Sequence, residues 1–195
     1  VNHTISLNNY HKEMEDINNK LVSVDERLNA TLKHLSGLKD DELRAREQLE
    51  EVKLVLKNAK TKMREYNFPH IPDNYFVELS EAQAAIKEII LELDKKPISI
   101  NTLNTRVDTA RDLVLKLYSK TKEMIKTAKF SEMAIVYGNR YRSDYDDLDR
   151  NLAYSEMLFF KGEYQKSLEL SIKSLNAIEP GIYDKLIGYY GNEKI

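Results

Sequence analysis

"LNNYHKEMEDINNKLVSVDERLNATLKHLSGLKDDELRAREQLEEVKLVLKNAKTKMREY", residues 7–66, decides the fold. Apolar side chains recur at Leu7, Tyr10, Met14, Ile17, Leu21, Val24, Leu28, Leu35 and Leu38, with Thr31 as the polar interruption. The same count runs on through Ala45, Leu49, Val52, Leu56, Ala59, Met63 and Tyr66. Steps of three and four held in phase make a heptad repeat, which keeps one seam turned toward partner helices in a left-handed supercoil. As one helix rising ~1.5 Å per residue, the stretch would reach roughly 90 Å.

The seam weakens once, where Glu42 takes an apolar position just after Ser36-Gly37. Two readings are open. Gly37 ends one helix and Asp40 or Asp41 starts the next, with the chain turning back. Alternatively, the helix continues and the polar stretch marks where it leaves one bundle and enters another. A turn would preserve the heptad phase only by coincidence, which favours the continuous helix.

Downstream, "NFPHIPDN" stops the helix, because Pro69 and Pro72 cannot continue it and Asp73 or Asn74 can cap the next. Phe76, Leu79, Gln83, Ile86, Ile90 and Leu93 then predict a second helix, broken at Pro97. A third, starting at Ser99 or Asn101, carries Ile100, Leu103, Val107, Ala110, Val114 and Leu117. Its seam fades to smaller or polar residues through Thr121, Met124, Ala128, Ser131 and Ile135. Short turns make neighbours antiparallel, so residues 43–66, 74–94 and 99–122 are expected to close a triple-helical bundle. The expected fold is all-α, an elongated rod of spectrin-like triple-helical bundles that share long helices. Residues 1–42 would complete a preceding bundle, 43–122 form one repeat, and 123–195 form a C-terminal bundle.

Past Gly138 the spacing predicts helices over about 146–160 and 164–178, hinged at Gly162, and a short last helix after Pro180-Gly181. "FFKGEYQKSLELSIKSLNAIEP" also resembles half of a tetratricopeptide unit, without a second copy to stack on. A generic helical adaptor with a peptide-binding tail is therefore an alternative function.

Composition narrows the function classes. The 195 residues hold 32 acidic and 30 basic side chains, for a net charge of −2, so no basic excess points to nucleic acid. There is no cysteine, which excludes disulfides and thiolate metal sites and suits a reducing compartment. No apolar run approaches the ~20 residues of a membrane span. The chain opens on Val1, helical in pattern within a few residues, as expected of a piece of a longer protein. His3, His11, His34 and His70 form no metal-ligand spacing, and no phosphate or dinucleotide loop occurs. Asp144, Asp146, Asp147 and Asp149 lack the glycine and glutamate of a calcium loop and read as first-turn acids, with Ser143 or Asp144 as cap. No enzyme, metal or cofactor is predicted.

One stretch is not explained by helix building. "VYGNRYR", residues 136–142, places Tyr137, Gly138, Asn139, Arg140, Tyr141 and Arg142 where the third helix should stop. Gly138 and Asn139 tolerate unusual backbone angles and would end the helix there. Tyrosine and arginine together are enriched at interface hot spots, so these six residues are the candidate protein-binding patch. Asn139, Arg140 and Arg142 are expected to face a partner, framed by Tyr137 and Tyr141, which requires that the guanidinium groups reach solvent rather than pair only with Asp144, Asp146 and Asp147 within one turn.

"MAIVYGNRYRS", with "PISINTLNTRVDTARDLVLKLY" and "DDELRAREQLEEVK", resembles the septation ring formation regulator family, EzrA, of Gram-positive bacteria over most of the chain. The resemblance implies the C-terminal part of the cytoplasmic region of a membrane-anchored division protein. Its transmembrane helix would lie upstream, outside these residues. It also implies that the protein binds the tubulin-like division GTPase FtsZ, restrains its assembly, and reaches the septum through the patch. Val136 stands where the family carries glutamine, so no polar side chain is offered at that position. Leu7, Met14, Ile17, Leu21 and Leu28, whose bundle partners would lie upstream, are expected to drive self-association.

Overall fold

The structure, a computed structural model, describes the backbone of residues 2–190 and the side chains of residues 12 and 14–188. Among the described residues it is an all-α helical bundle. The order is α1 (Asn2–Tyr66), α2 (Asp73–Leu93), α3 (Ile100–Gly138), one 3₁₀ turn (Asn139–Tyr141), α4 (Asp146–Phe160), α5 (Tyr164–Ile178) and α6 (Ile182–Tyr190).

α1 runs 65 residues without interruption. Neither Ser36-Gly37 nor Glu42 turns the chain, and Gly37 faces open space. A glycine that touches nothing weakens a helix by about 1 kcal/mol against alanine, which the surrounding turns absorb. The seam changes character along its length. Ala45, Leu49, Val52, Leu56, Ala59 and Met63 are buried, whereas Met14, Ile17, Leu21, Val24 and Leu28 are exposed. The side chains of Leu7 and Tyr10, expected on the same stripe, lie outside the described ones.

α3 packs on both α1 and α2 and supplies the central strip of their core, Leu103, Val107, Ala110, Val114 and Leu117. α2 enters this core on a seam rotated from the one its spacing predicts. Tyr75, Ala82 and Ile89 are buried with Ile86 and Leu93, while Phe76 and Ile90 face outward and Gln83 is exposed. Two stripes one position apart share Leu79, Ile86 and Leu93. The chosen one carries Ala82, whose lack of side-chain bulk admits a close neighbour, and leaves the Gln83 amide in water. Ile89→Ala is therefore expected to cost about 3 kcal/mol and Ile90→Ala under ~1 kcal/mol in urea denaturation. A larger loss at Ile90 than at Ile89 would restore the predicted seam.

The caps also differ in detail. Pro72, at φ −59° and ψ 140°, takes the N-cap position of α2, and Asp73 is its first residue. Tyr145, not Ser143 or Asp144, precedes α4, and the Ser143 hydroxyl donates to the Asp144 carboxylate instead. Asp146, Asp147 and Asp149 do occupy the first turn of α4, where they offset the helix dipole.

Beyond Leu117, the small residues of α3 prove to be contact points. Thr121, Ile125, Ala128, Ser131, Ala134 and Gly138 are all buried. The Ser167 hydroxyl donates to the Ser155 carbonyl at 2.7 Å, so its 2.7 Å contact with Ser131 takes the Ser131 proton. This chain ties α3, α4 and α5 together at close range. A second core forms from Ala134, Ile135, Leu148, Leu152, Leu175, Ile182 and Leu186. α4 and α5 form a hairpin at Gly162, whose φ of +80° suits glycine and where a Cβ would meet the His70 ring at 2.8 Å. The Tyr164 hydroxyl donates to the His70 carbonyl, and the Phe68 ring lies tilted against Tyr164 with centroids 5.3 Å apart, joining the two cores. The hairpin lies on α3, with no second hairpin stacked on it among the described residues.

Candidate functional site

The predicted patch divides into a buried half and an exposed half. α3 ends on Gly138, but not through a left-handed residue: Gly138 (φ −69°) and Asn139 (φ −55°) keep helical angles. Their expected role as conformational stops is thus corrected. Gly138 is buried, and a Cβ there would lie 2.6 Å from Leu152 Cδ1 and 3.2 Å from Leu175 Cδ2. The glycine lets α4 and α5 approach the end of α3.

Tyr137 and Tyr141 turn inward on one carboxylate. Both hydroxyls donate to Glu179 Oε2, at 2.7 and 3.0 Å, and Lys185 donates to its other oxygen. These contacts fasten the α5–α6 corner to α3. The hydrogen bond to Glu179, helped by burial, raises the Tyr137 hydroxyl well above its ordinary value. Conversely, the Lys185 ammonium and then the Tyr137 hydroxyl hold Glu179 down at about 2, against an ordinary 4.5. A carboxylate with a depressed folded value contributes stability above about pH 4.5 and loses it as pH falls through about 2. Glu179→Gln is therefore expected to lower Tm at pH 6, with the gap to the parent closing between pH 4.5 and 2. A gap independent of pH would show that Glu179 is not the titrating anchor.

The two arginines have different surroundings. Arg142 is partly buried, at 25% side-chain exposure, and pairs with Asp149 at 3.3 Å and with Glu156. Asp144, Asp146 and Asp147, the acids nearest in sequence, take no part. Asp149 and Glu156 stand one and three turns into α4, where the guanidinium fork spans both. Arg140 is exposed and meets no carboxylate among the described residues. Its guanidinium lies 3.8 Å above the Tyr137 ring, and its Nε donates to the Tyr137 carbonyl at 3.1 Å. This stack holds the cation facing solvent on a fixed platform.

The presented surface is therefore Arg140 and Asn139 with Val136, which is 63% exposed. Val136 was not among the predicted patch residues, although its spacing of three and four from Asn139 and Arg140 puts it on their helix face. Glu179, Lys185, Asp149 and Glu156 were also missed. They come from α4, α6 and the residue that ends α5, all later in the chain, and no local signal in the sequence marks them as partners. Among the described residues no three His, Cys, Asp or Glu side chains converge as a metal set, and no helix is long and apolar enough to cross a membrane.

Comparison with known proteins identifies the chain's relatives. The family model for the septation ring formation regulator, EzrA, matches residues 2–190. The septation ring formation regulator EzrA of Geobacillus sp. (strain WCH70) is 31% identical over 150 residues, 77% of this chain and 26% of that protein. That of Bacillus pumilus (strain SAFR-032) is 28% identical over 183 residues, 92% of this chain and 32% of that protein. The chain thus spans a quarter to a third of the length of these curated relatives. No solved structure gives a significant match. With the family model covering both helical cores and the candidate patch, the chain belongs to the septation ring formation regulator family, EzrA.

Proposed function

We propose that this chain is part of a non-catalytic helical scaffold that regulates bacterial cell division, binding FtsZ and restraining its assembly into the division ring. The observation that carries the reading is the family match over residues 2–190. In this reading the longer protein is anchored by a transmembrane helix upstream, the chain lies on the cytoplasmic side, and the Val136–Asn139–Arg140 surface serves recruitment to the septum. The test is to polymerise FtsZ with and without the chain and measure pelleted polymer. Less polymer, with the chain depleted from the supernatant, supports the reading; unchanged polymer and no co-pelleting oppose it.

The domain reading is part of the proposal. Residues 1–42 complete a bundle with upstream helices, 43–122 form one repeat and 123–195 a C-terminal bundle. The exposed stripe at Met14, Ile17, Leu21, Val24 and Leu28 supports the first assignment. In the isolated chain such a stripe seeks cover from a second copy. Sedimentation is expected to show a concentration-dependent dimer that Leu21→Ser with Leu28→Ser abolishes. A monomer at every concentration would refute self-association through α1.

A further inference from the structure

We infer that the groove between α1 and α2 is a docking site for a short acidic segment of a partner protein, with apolar side chains set between its carboxylates. α3 holds α1 and α2 from one side, which leaves a cleft of about 390 Å³ between them on the other. Lys53, Lys57 and Lys60 line the α1 rim, and Lys87 faces them from α2. The α1 lysines step by four and three, so they share one helix face. The floor is apolar, built from Leu56, Ile86 and the half-open Ile90.

Three of the four lysines in this cleft carry no ion pair among the described residues. Lys53 pairs with Glu50 at 2.7 Å, but Lys57, Lys60 and Lys87 have no ion pair among the described residues. Where cations bridge neighbouring helices of this core they meet a carboxylate, as Arg106 does with Glu88 and Lys120 with Glu78. Three free ammonium groups around an apolar floor favour a ligand with both features. Lys53 to Lys60 spans about 10 Å, room for two helical turns of a ligand. A phosphate backbone would satisfy the lysines and leave the floor wet. A bilayer is too broad to reach Leu56, which is 7% exposed between two helices. An acidic peptide can seat leucine or isoleucine on the floor and place carboxylates on both rims.

The cleft belongs to the first helical core and is independent of the Arg140 surface. The test uses a fluorescein-labelled peptide in which aspartates alternate with leucine and isoleucine, titrated with the chain by anisotropy. Binding should weaken with added salt. It should fall about tenfold or more for Lys57→Glu with Lys60→Glu and Lys87→Glu. The milder Lys57→Gln with Lys87→Gln, chosen to leave the fold intact, should fall in the same direction. A peptide with serine in place of leucine and isoleucine should bind worse, as should the Ile90→Ser chain. Lys173→Gln, an exposed lysine on α5 outside the cleft, should bind as the parent does. Equal binding of the serine peptide, or of the lysine variants, overturns the proposal. Lysine-dependent binding to phosphatidylglycerol vesicles without peptide binding also overturns it, in favour of a membrane surface.

Discussion

Gly138→Val is expected to cost the C-terminal core about 3 kcal/mol, one of the largest losses available from a single change in this chain. The reason is distance. A Cβ at Gly138 would meet Leu152 Cδ1 at 2.6 Å, Leu175 Cδ2 at 3.2 Å and Leu152 Cδ2 at 3.3 Å. Leu152 and Leu175 are themselves fully buried, so neither has free space to move into. Alanine should do less harm, because its gain of about 1 kcal/mol in helix propensity offsets part of an overpacking cost of about 1–3 kcal/mol. Asparagine separates two explanations. If Gly138 served to stop the helix, asparagine, which tolerates left-handed angles, would replace it at little cost. With φ at −69° there is no such need, and Gly138→Asn should destabilise as much as valine by forcing a polar group into the core. Urea denaturation followed by circular dichroism reads all three. Leu152→Ala in the Gly138→Val background should recover part of the loss, a coupling expected only of atoms in contact. A Gly138→Val chain as stable as the parent would remove the close approach from the account of this fold.

The same glycine shows where sequence reasoning reaches and where it stops. Helix positions along α1 were legible because apolar spacing is a local signal, and Pro69, Pro72 and Pro97 punctuate it. The seam of α2 was not, because Phe76–Gln83–Ile90 and Tyr75–Ala82–Ile89 are equally periodic. Which stripe turns inward depends on how closely α3 approaches, and α2 alone does not encode that. Gly138 was legible as a special position but not as a contact, since the leucines that need its missing Cβ belong to α4 and α5. The patch was legible in its composition, from tyrosine and arginine side by side. Its division was not, because Glu179 claims both tyrosines and Glu156 claims Arg142, and each acid looks from sequence like ordinary helix surface.

That division gives the two arginines opposite expected phenotypes. Arg140→Ala removes a cation stacked on Tyr137 at 3.8 Å and one hydrogen bond to the Tyr137 carbonyl. The fold should lose at most about 1 kcal/mol. Binding should lose far more if the patch meets a partner, because an exposed arginine on a stiff aromatic platform is a typical hot spot. A loss of about 2 kcal/mol corresponds to roughly thirtyfold in affinity. Arg142→Ala acts on the fold instead. It unties the turn after the 3₁₀ segment from α4 and leaves Asp149 and Glu156 without their shared cation. Both acids are partly hydrated, at 52% and 39% side-chain exposure, so the cost is limited to about 1–2 kcal/mol. At this chain length that lowers Tm by about 2–8 °C. Arg142→Lys should recover only part of it, since one ammonium cannot serve both carboxylates as the planar fork does. Melting curves and co-sedimentation with polymerised FtsZ, run on both variants and scored per folded molecule, separate the roles. Arg140→Ala should melt close to the parent and sediment poorly, whereas Arg142→Ala should melt early and, while folded, sediment normally. The reverse pattern, a stable Arg142→Ala that no longer binds and an Arg140→Ala that does, would move the contact surface onto the α4 side of the turn.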